Sequence, residues 1–395
     1  MRSRLLILLM PIVGLFGQPS FNANDISTSA DGANDVYAVD IDGDGDIDVL
    51  SSYNNAGGVV AWYENNGSQS FTAHTLPTNN GTEVPNSVYA IDMDKDGDVD
   101  VVSGTSSYGR VLWFENDGSG NFTTKEVTTT GNGASDVYAI DIDSDGDIDV
   151  VSHTNLYPHP DGENGKISWH ENDGSQNFTS HIITTFSESS GSIYALDLDG
   201  DGDIDVLSSL RGQGGSDVDG ITWYENNGSE SFTARTISTS VETPTSVFSI
   251  DLDNDGDMDV LSNSRRDNKI IWFKNDGSQS FTAYTIGTSA IDPMSVFALD
   301  LDGDGDVDVL SASEGEGDNA YDDGGIHWYE NDGSENFTTH KIVGTDAKYA
   351  RSVYAVDVDG DGHIDVLSAS HLDDKIAWYE NTTAAPGTPT FTAAT

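Results

Sequence analysis

The sequence predicts an all-β fold: a seven-bladed β-propeller of four-stranded antiparallel blades. Three observations lead there. The pattern D-x-D-x-D-G-x-x-D begins seven times, at Asp40, Asp92, Asp141, Asp197, Asp251, Asp300 and Asp357. Seven tryptophans keep phase with it: Trp62, Trp113, Trp169, Trp223, Trp272, Trp328 and Trp378. Between these markers run short β-branched and aromatic stretches, punctuated by Asn-Gly and Asp-Gly turns. A unit of this size, repeated around a ring, buries an apolar face that it could not bury alone.

Each unit reads as four strands. The first is "VYAVD" at 36–40, with relatives "VYAID", "IYALD" and "VFSID". Its unbroken apolar run predicts a strand covered on both faces, and its Ala or Ser suits a crowded inner position. The second follows the acidic loop, as in "IDVLSS" at 47–52. The third is "VVAWYEN" at 59–65, where Val or Ile always stands two residues before the Trp. That constant apolar companion predicts a tryptophan packed between blades, not one offered to a sugar. The turn "NNGS" or "NDGS" leads into the fourth strand, "FTAHTL" at 71–76, and Asn/Asp-Gly is a strong hairpin signal.

Ring closure can be read from one interruption. In six units the third-strand Asn is followed six residues later by Phe: Phe71, Phe122, Phe178, Phe232, Phe281 and Phe337. The seventh breaks this, since Asn381 is separated from Phe391 by Pro386 and Pro389. Meanwhile "SFNANDIS" at 20–27 resembles "SFTAHTL", and Phe21 precedes Asp40 by the same nineteen residues that separate Phe122 from Asp141. The N-terminal segment is therefore expected to complete the last blade. The competing "FTAAT" at 391–395 reads as linker.

The expected organisation is a signal peptide at 1–17, the propeller at 18–381 and a linker-like tail at 382–395. "MRSRLLILLMPIVGLFG" places Arg2 and Arg4 before an apolar run too short and Pro-broken for a good membrane anchor. Gly17 offers a cleavage point. No cysteine is present, so neither a disulfide nor an N-terminal lipid on Cys can hold the exported chain. The expected location is extracellular, secreted or on the cell surface, as a monomer without membrane insertion. A formal net charge of −52 argues against nucleic acid and anionic membranes as partners.

The acidic loops are the candidate metal sites. Their ionisable positions are Asp40, Asp42, Asp44, Asp46 and Asp48; Asp92, Asp94, Asp96, Asp98 and Asp100; and Asp141, Asp143, Asp145, Asp147 and Asp149. They continue with Asp197, Asp199, Asp201, Asp203 and Asp205; Asp251, Asp253, Asp255, Asp257 and Asp259; and Asp300, Asp302, Asp304, Asp306 and Asp308. The last loop carries Asp357, Asp359, Asp361, His363 and Asp365. Positions 1, 3, 5 and 9 are Asp in all seven loops, and position 6 is always Gly, which can adopt a positive φ. Alternate spacing turns short carboxylates toward one centre, and position 7 can add a backbone carbonyl. His363 therefore need not weaken the last site.

An all-oxygen, flexible cage suits Ca²⁺, about one ion per blade, whereas Zn²⁺ asks for His or Cys. Bare loops would hold clustered like charges at a cost of several kcal/mol, by order of magnitude. An EF-hand would need Glu at position 12. That position is Ser in every copy (Ser51, Ser103, Ser152, Ser208, Ser262, Ser311 and Ser368).

Seven such loops between paired strands resemble the FG-GAP/VCBS repeat family, whose best-known fold is the seven-bladed propeller of integrin α-subunit heads. The resemblance covers nearly the whole chain after residue 17. It implies Ca²⁺ in the loop between strands one and two, on the lower face, and so at the aspartates named above. Some lectins with related propellers bind sugars between blades. Some polysaccharide lyases also use calcium-decorated propellers.

Strand parity puts the acidic loops and the "NDGS" hairpins on one face and the variable connections on the other. Those connections include "SHTNLYPHPDGENGK" at 152–166, "SSLRGQGGSDVDG" at 208–220, "SNSRRDNK" at 262–269 and "SASEGEGDNAYDDGG" at 311–325. Arg110, Lys166, Arg211, Arg265, Arg266, Lys269, Lys348, Arg351 and Lys375 fall there, with Tyr53, Tyr108, Tyr157, Tyr321 and Tyr349 as stacking candidates and His153, His159 and His371 nearby. A constant scaffold with variable loops is a common binding-surface design. No G-x-S-x-G, H-E-x-x-H or P-loop occurs. The expected function is a non-catalytic binding or adhesion module for an extracellular protein or glycan. The alternatives are a polysaccharide lyase-like enzyme and a structural spacer.

Overall fold

A computed structural model of the 395-residue chain describes residues 19–54, 57–78, 84–106, 109–129, 133–154, 165–186, 189–211, 219–315, 324–343 and 347–383. Residues 1–18, where the signal peptide was expected, and residues 384–395 lie outside these. Among the described residues there are 28 strands and no α-helix, so no helix is long and apolar enough to cross a membrane. The strands form seven separate four-stranded sheets. In the first blade the order runs Ala33–Val39, Asp48–Tyr53, Val59–Asn65 and Phe71–Thr75, each strand antiparallel to the next.

The seventh sheet contains Ala350–Val356, Asp365–Ser370 and Lys375–Asn381, and its outer strand is Phe21–Ser27 from the start of the chain. Register explains why this segment fits. Phe21 pairs with Asn381 as Phe71 pairs with Asn65 and Phe122 with Asn116. The clasp is reinforced by the Thr382 N–H and hydroxyl, both donating to the Ser20 carbonyl at 2.7 and 2.8 Å. Lys375 adds an ion pair to Asp25 at 3.0 Å. The ring closes through its N-terminal strand.

Seven apolar clusters make up the core, each lying between two neighbouring blades. Trp378, Leu367 and Ile376 of blade seven, for example, pack on Val36, Ala38, Ala61 and Tyr63 of blade one. Every tryptophan is at most 4 % exposed. Trp62 meets Phe122 of the next blade edge-on at 6.1 Å, and Gly120 lies so close that a Cβ there would strike the indole. The rings are therefore interblade packing, as the Val/Ile-x-Trp spacing implies.

One expectation about the strands needs correction. The first strand is not covered throughout: Val36 and Ala38 are buried, while Tyr37 and Val39 are only partly so. It borders the central channel, where Tyr37, Tyr89, Tyr138, Tyr194, Phe248, Phe297 and Tyr354 form a closed aromatic girdle with ring centroids 4.7–5.4 Å apart. The second strand is the one buried on both faces; Asp48 through Ser52 are all inaccessible.

Candidate metal centre

Each acidic loop folds around its own carboxylates. In the first, Asp40 Oδ1 accepts from the Gly43 N–H at 2.8 Å and Oδ2 from Gly45 at 3.0 Å. Asp42 and Asp44 each accept from the N–H two residues on, at 3.2 and 2.9 Å. The bond from the position-6 Gly N–H to the first Asp recurs in all seven loops. Those glycines all have φ between 91° and 102°, the left-handed region where a Cβ would be strained. The invariant Gly is therefore a backbone requirement.

Position 9 ties the loop to the blade. Asp48 Oδ1 accepts from the Asn65 N–H at 2.7 Å and Oδ2 from Ile41 at 3.1 Å. The Asn65 amide donates in turn to Ile47 O at 3.1 Å, and the equivalent Asn116 reaches Ile41 O of the preceding blade's loop at 3.0 Å. Burial pushes this carboxylate up, to about 6 in Asp48, Asp100, Asp259 and Asp365 and to about 7 in Asp149, Asp205 and Asp308. The two backbone N–H donors pull the other way. The Trp62 N–H lies close enough to favour the charged form of Asp48, although Nε1 makes no hydrogen bond of ordinary geometry.

Positions 1, 3, 5 and 9 supply the convergent oxygens. Ligand atoms of Asp40, Asp42 and Asp48 lie within 4.8 Å of one another, as do those of Asp141, Asp143 and Asp149 and of Asp197, Asp199 and Asp205. Asp92, Asp94 and Asp96, and Asp251, Asp253 and Asp255, converge in the same way. Asp92 Oδ1, Asp141 Oδ1 and Asp253 Oδ1 are buried without a hydrogen-bond partner. Buried oxygens left unpaired amid like charge fit a hard cation that takes six to eight oxygen ligands. Position 3 registers the same crowding: burial and neighbouring loop carboxylates raise Asp42, Asp94, Asp143, Asp199 and Asp359, and raise Asp302 to about 6.

The position-7 side chains go elsewhere. Asp46, Asp98, Asp147, Asp203, Asp257 and Asp306 lie against the hairpin glycines Gly67, Gly118, Gly174, Gly228, Gly277 and Gly333, where an added Cβ would collide with the carboxylate. This position can still offer its carbonyl. Asp147 is also bonded by Lys95 of the second loop at 2.6 Å.

On the opposite face, several expected basic residues are engaged with acid. Arg265 and Arg351 both reach Glu314, at 2.5 and 3.2 Å, joining blades five, six and seven. Lys269 pairs with Asp267 at 3.1 Å and Arg110 with Glu126 at 3.5 Å. Arg211 lies near Arg265 and Arg266: burial, then Arg265 and more weakly Arg266, hold it below its ordinary pKa, while Asp219 and Glu314 pull the other way. Tyr108, Tyr157, His159 and Tyr321 lie outside the described residues. His153 is not a surface group. It is fully buried, edge-on to Phe186 at 5.1 Å, and burial pushes it down to about 3.

Sequence reasoning passed over a recurrent device on the outer strands. His74 stacks on Trp62 at 4.6 Å while bonding Glu64 at 2.7 Å, and His181 and His340 do the same on Trp169 and Trp328 with Glu171 and Glu330. Lys125 and Arg235 replace the imidazole over Trp113 and Trp223. The signal was available in the register, since each of these residues stands directly across from its tryptophan.

The FG-GAP-like repeat model matches residues 40–103, 92–152, 159–208, 211–262, 251–311 and 317–368, and together these windows include all seven acidic loops. A structure of BBS1N in complex with ARL6DN, soaked with lead, is similar at a TM-score of 0.62 with 9 % identity, covering 93 % of this chain and 98 % of that one. Virginiamycin B lyase from Staphylococcus aureus is similar at 0.60 with 13 % identity, covering 92 % of this chain and 99 % of that one. At such identities the likeness is one of fold alone. Among curated proteins, no match was found.

Proposed function

The chain belongs to the FG-GAP-like repeat family, and from that premise we propose that it is a calcium-stabilised, non-catalytic binding module acting outside the cell on a protein or glycan. The observation that carries the metal half is the convergence of aspartate oxygens in the loops, three carboxylates within 4.8 Å, some with buried unpaired oxygens. Asp40, Asp42, Asp44 and Asp48 and their counterparts would hold the ion, with the position-7 carbonyl beside them. Bound calcium would supply charge compensation and a rigid lower rim.

The partner half is supported by the difference between the faces. One face repeats a single motif seven times. The other carries connections that differ from blade to blade and gathers Arg211, Arg265 and Arg266 on a chain of net charge −52. An anionic group on the partner, such as a uronate, a sulfate or an acidic side chain, is complementary to that cluster. The test is a glycan and matrix-protein array probed with and without calcium, using wild type and an Arg211→Ala/Arg266→Ala double variant. Calcium-dependent capture of acidic ligands, lost in the variant, is expected. No capture in either state leaves a spacer role, and cleavage of a polysaccharide in parallel incubations would make the protein an enzyme.

A further inference from the structure

The seven loops do not have the same surroundings. In six blades the third strand ends in Glu-Asn, and the Asn N–H bonds the position-9 aspartate of the same blade's loop, so the Glu is held next to that loop. The residues in that place are Glu64, Glu115, Glu171, Glu225, Glu330 and Glu380. Blade five reads "WFKN", with Lys274 in that place. Its ammonium bonds the Asp253 carboxylate directly and reaches Glu335, on the hairpin of blade six, at 2.7 Å. Asp253 is only 10 % exposed, and its Oδ1 is buried without a partner.

Relative to its six counterparts, the fifth loop has Lys in place of Glu, and here the cation bonds the position-3 aspartate itself, whereas Lys125 and Arg235 of blades two and four pair with the Glu. We propose that Lys274 acts as a built-in counter-ion, making the fifth loop the weakest divalent-cation site in the ring and stapling blade five to blade six when that site is empty. This rests on calcium binding in the loops. A cation bound there must displace the ammonium from Asp253 or share the carboxylate with it. A +1 charge roughly 6 Å from a +2 ion weakens binding about tenfold even with the dielectric of water. Losing the Glu charge works in the same direction.

The staple also has a mechanical reading. Asp253, Trp272, Asn331, Glu335 and Phe337 line a small cavity at the blade five–six seam. Lys274 spans from one wall to the other, so the seam keeps an ionic tie that needs no metal.

The experiment follows the position-6 glycine amides of the full chain by ¹H–¹⁵N NMR during a calcium titration. Gly256 N–H donates to Asp251 Oδ2 at 2.9 Å and so reports the fifth loop, while Gly45, Gly97, Gly146, Gly202, Gly305 and Gly362 report the others. Wild type should respond at Gly256 only at about tenfold higher free calcium than the median of the other six. Lys274→Glu should bring Gly256 into line with them and lower the melting temperature of the calcium-free protein. Lys274→Gln, which removes charge without adding any, should fall between. If Gly256 titrates with the rest in wild type, or Lys274→Glu leaves its midpoint unchanged, the counter-ion role is wrong while calcium binding stands. If no loop glycine responds, calcium binding itself fails and the counter-ion role goes with it.

Discussion

Replacing Trp223 by Ala tests how this ring is held together. Trp223 is 1 % exposed and packs with Leu198, Leu207 and Ile221 of its own blade against Val247, Val260, Ile271 and Phe273 of the next. An indole of this kind buries about 200 Å², worth ~5 kcal/mol at about 25 cal/mol per Å². Alanine recovers a little of that, but two flanking sheets locked by their hydrogen-bond ladders cannot collapse into the gap. The expected loss is about 3–5 kcal/mol, a fall in Tm of roughly 4–7 °C for a ring of this size. The matched control is Arg235→Ala, which removes the exposed guanidinium from 5.5 Å over the same ring and leaves the indole buried. It should cost less than about 1 kcal/mol. Urea unfolding at fixed, saturating calcium measures both. Equal and small losses would refute interblade packing as the source of stability and put the indole in solvent.

Two further predictions concern charge. Asp136, at the channel mouth, accepts from Val137 and from Ile193 of the next blade at 3.0 and 2.9 Å, and burial, with Asp35 adding to it, pushes its pKa up to about 7. Its native form holds a proton more tightly than the unfolded chain does, so ionisation costs stability above pH 7, and the cost is relieved as pH falls toward the unfolded value near 4. Asp136→Asn, which does not titrate, should therefore gain on wild type by on the order of 2–4 kcal/mol between pH 4.5 and pH 7.5; parallel curves in pH-resolved urea melts would contradict the shift. Chelation should lower the melting temperature sharply, since each ion bound only to the native state at 100 times its Kd contributes about 2.7 kcal/mol. Added NaCl should restore part of the loss by screening the bared loops, and an unchanged melt would exclude a structural cation.

Local order was legible in the residues themselves. The Asp-x-Asp-x-Asp-Gly pattern specifies its own turn, because only Gly accepts the φ near 97° seen at Gly256 and short side chains reach the N–H two residues on. The Asn-to-Phe spacing likewise specified which segment completes blade seven: Phe21 has one register that matches its six counterparts. Such features depend on neighbours close in sequence or on a repeat that can be compared with itself.

The differences between repeats became meaningful only in three dimensions. Composition placed His153 in a variable loop, but the second strand runs on through it and carries it into the core. The aromatic girdle joins residues about fifty positions apart, and nothing within one unit says that Tyr37 will face Tyr354 across the closing seam. Lys274 stands where the other six blades have Glu in a repeated W-x-E-N, and its effect depends on Asp253 from the preceding loop and Glu335 from the following blade. The sequence alone determined the seven-fold repeat, the turn chemistry and the strand order, because those follow from local backbone preference and periodicity. Which charges meet across a blade boundary was decided by tertiary structure, since electrostatic energy depends on distances that only the closed ring sets.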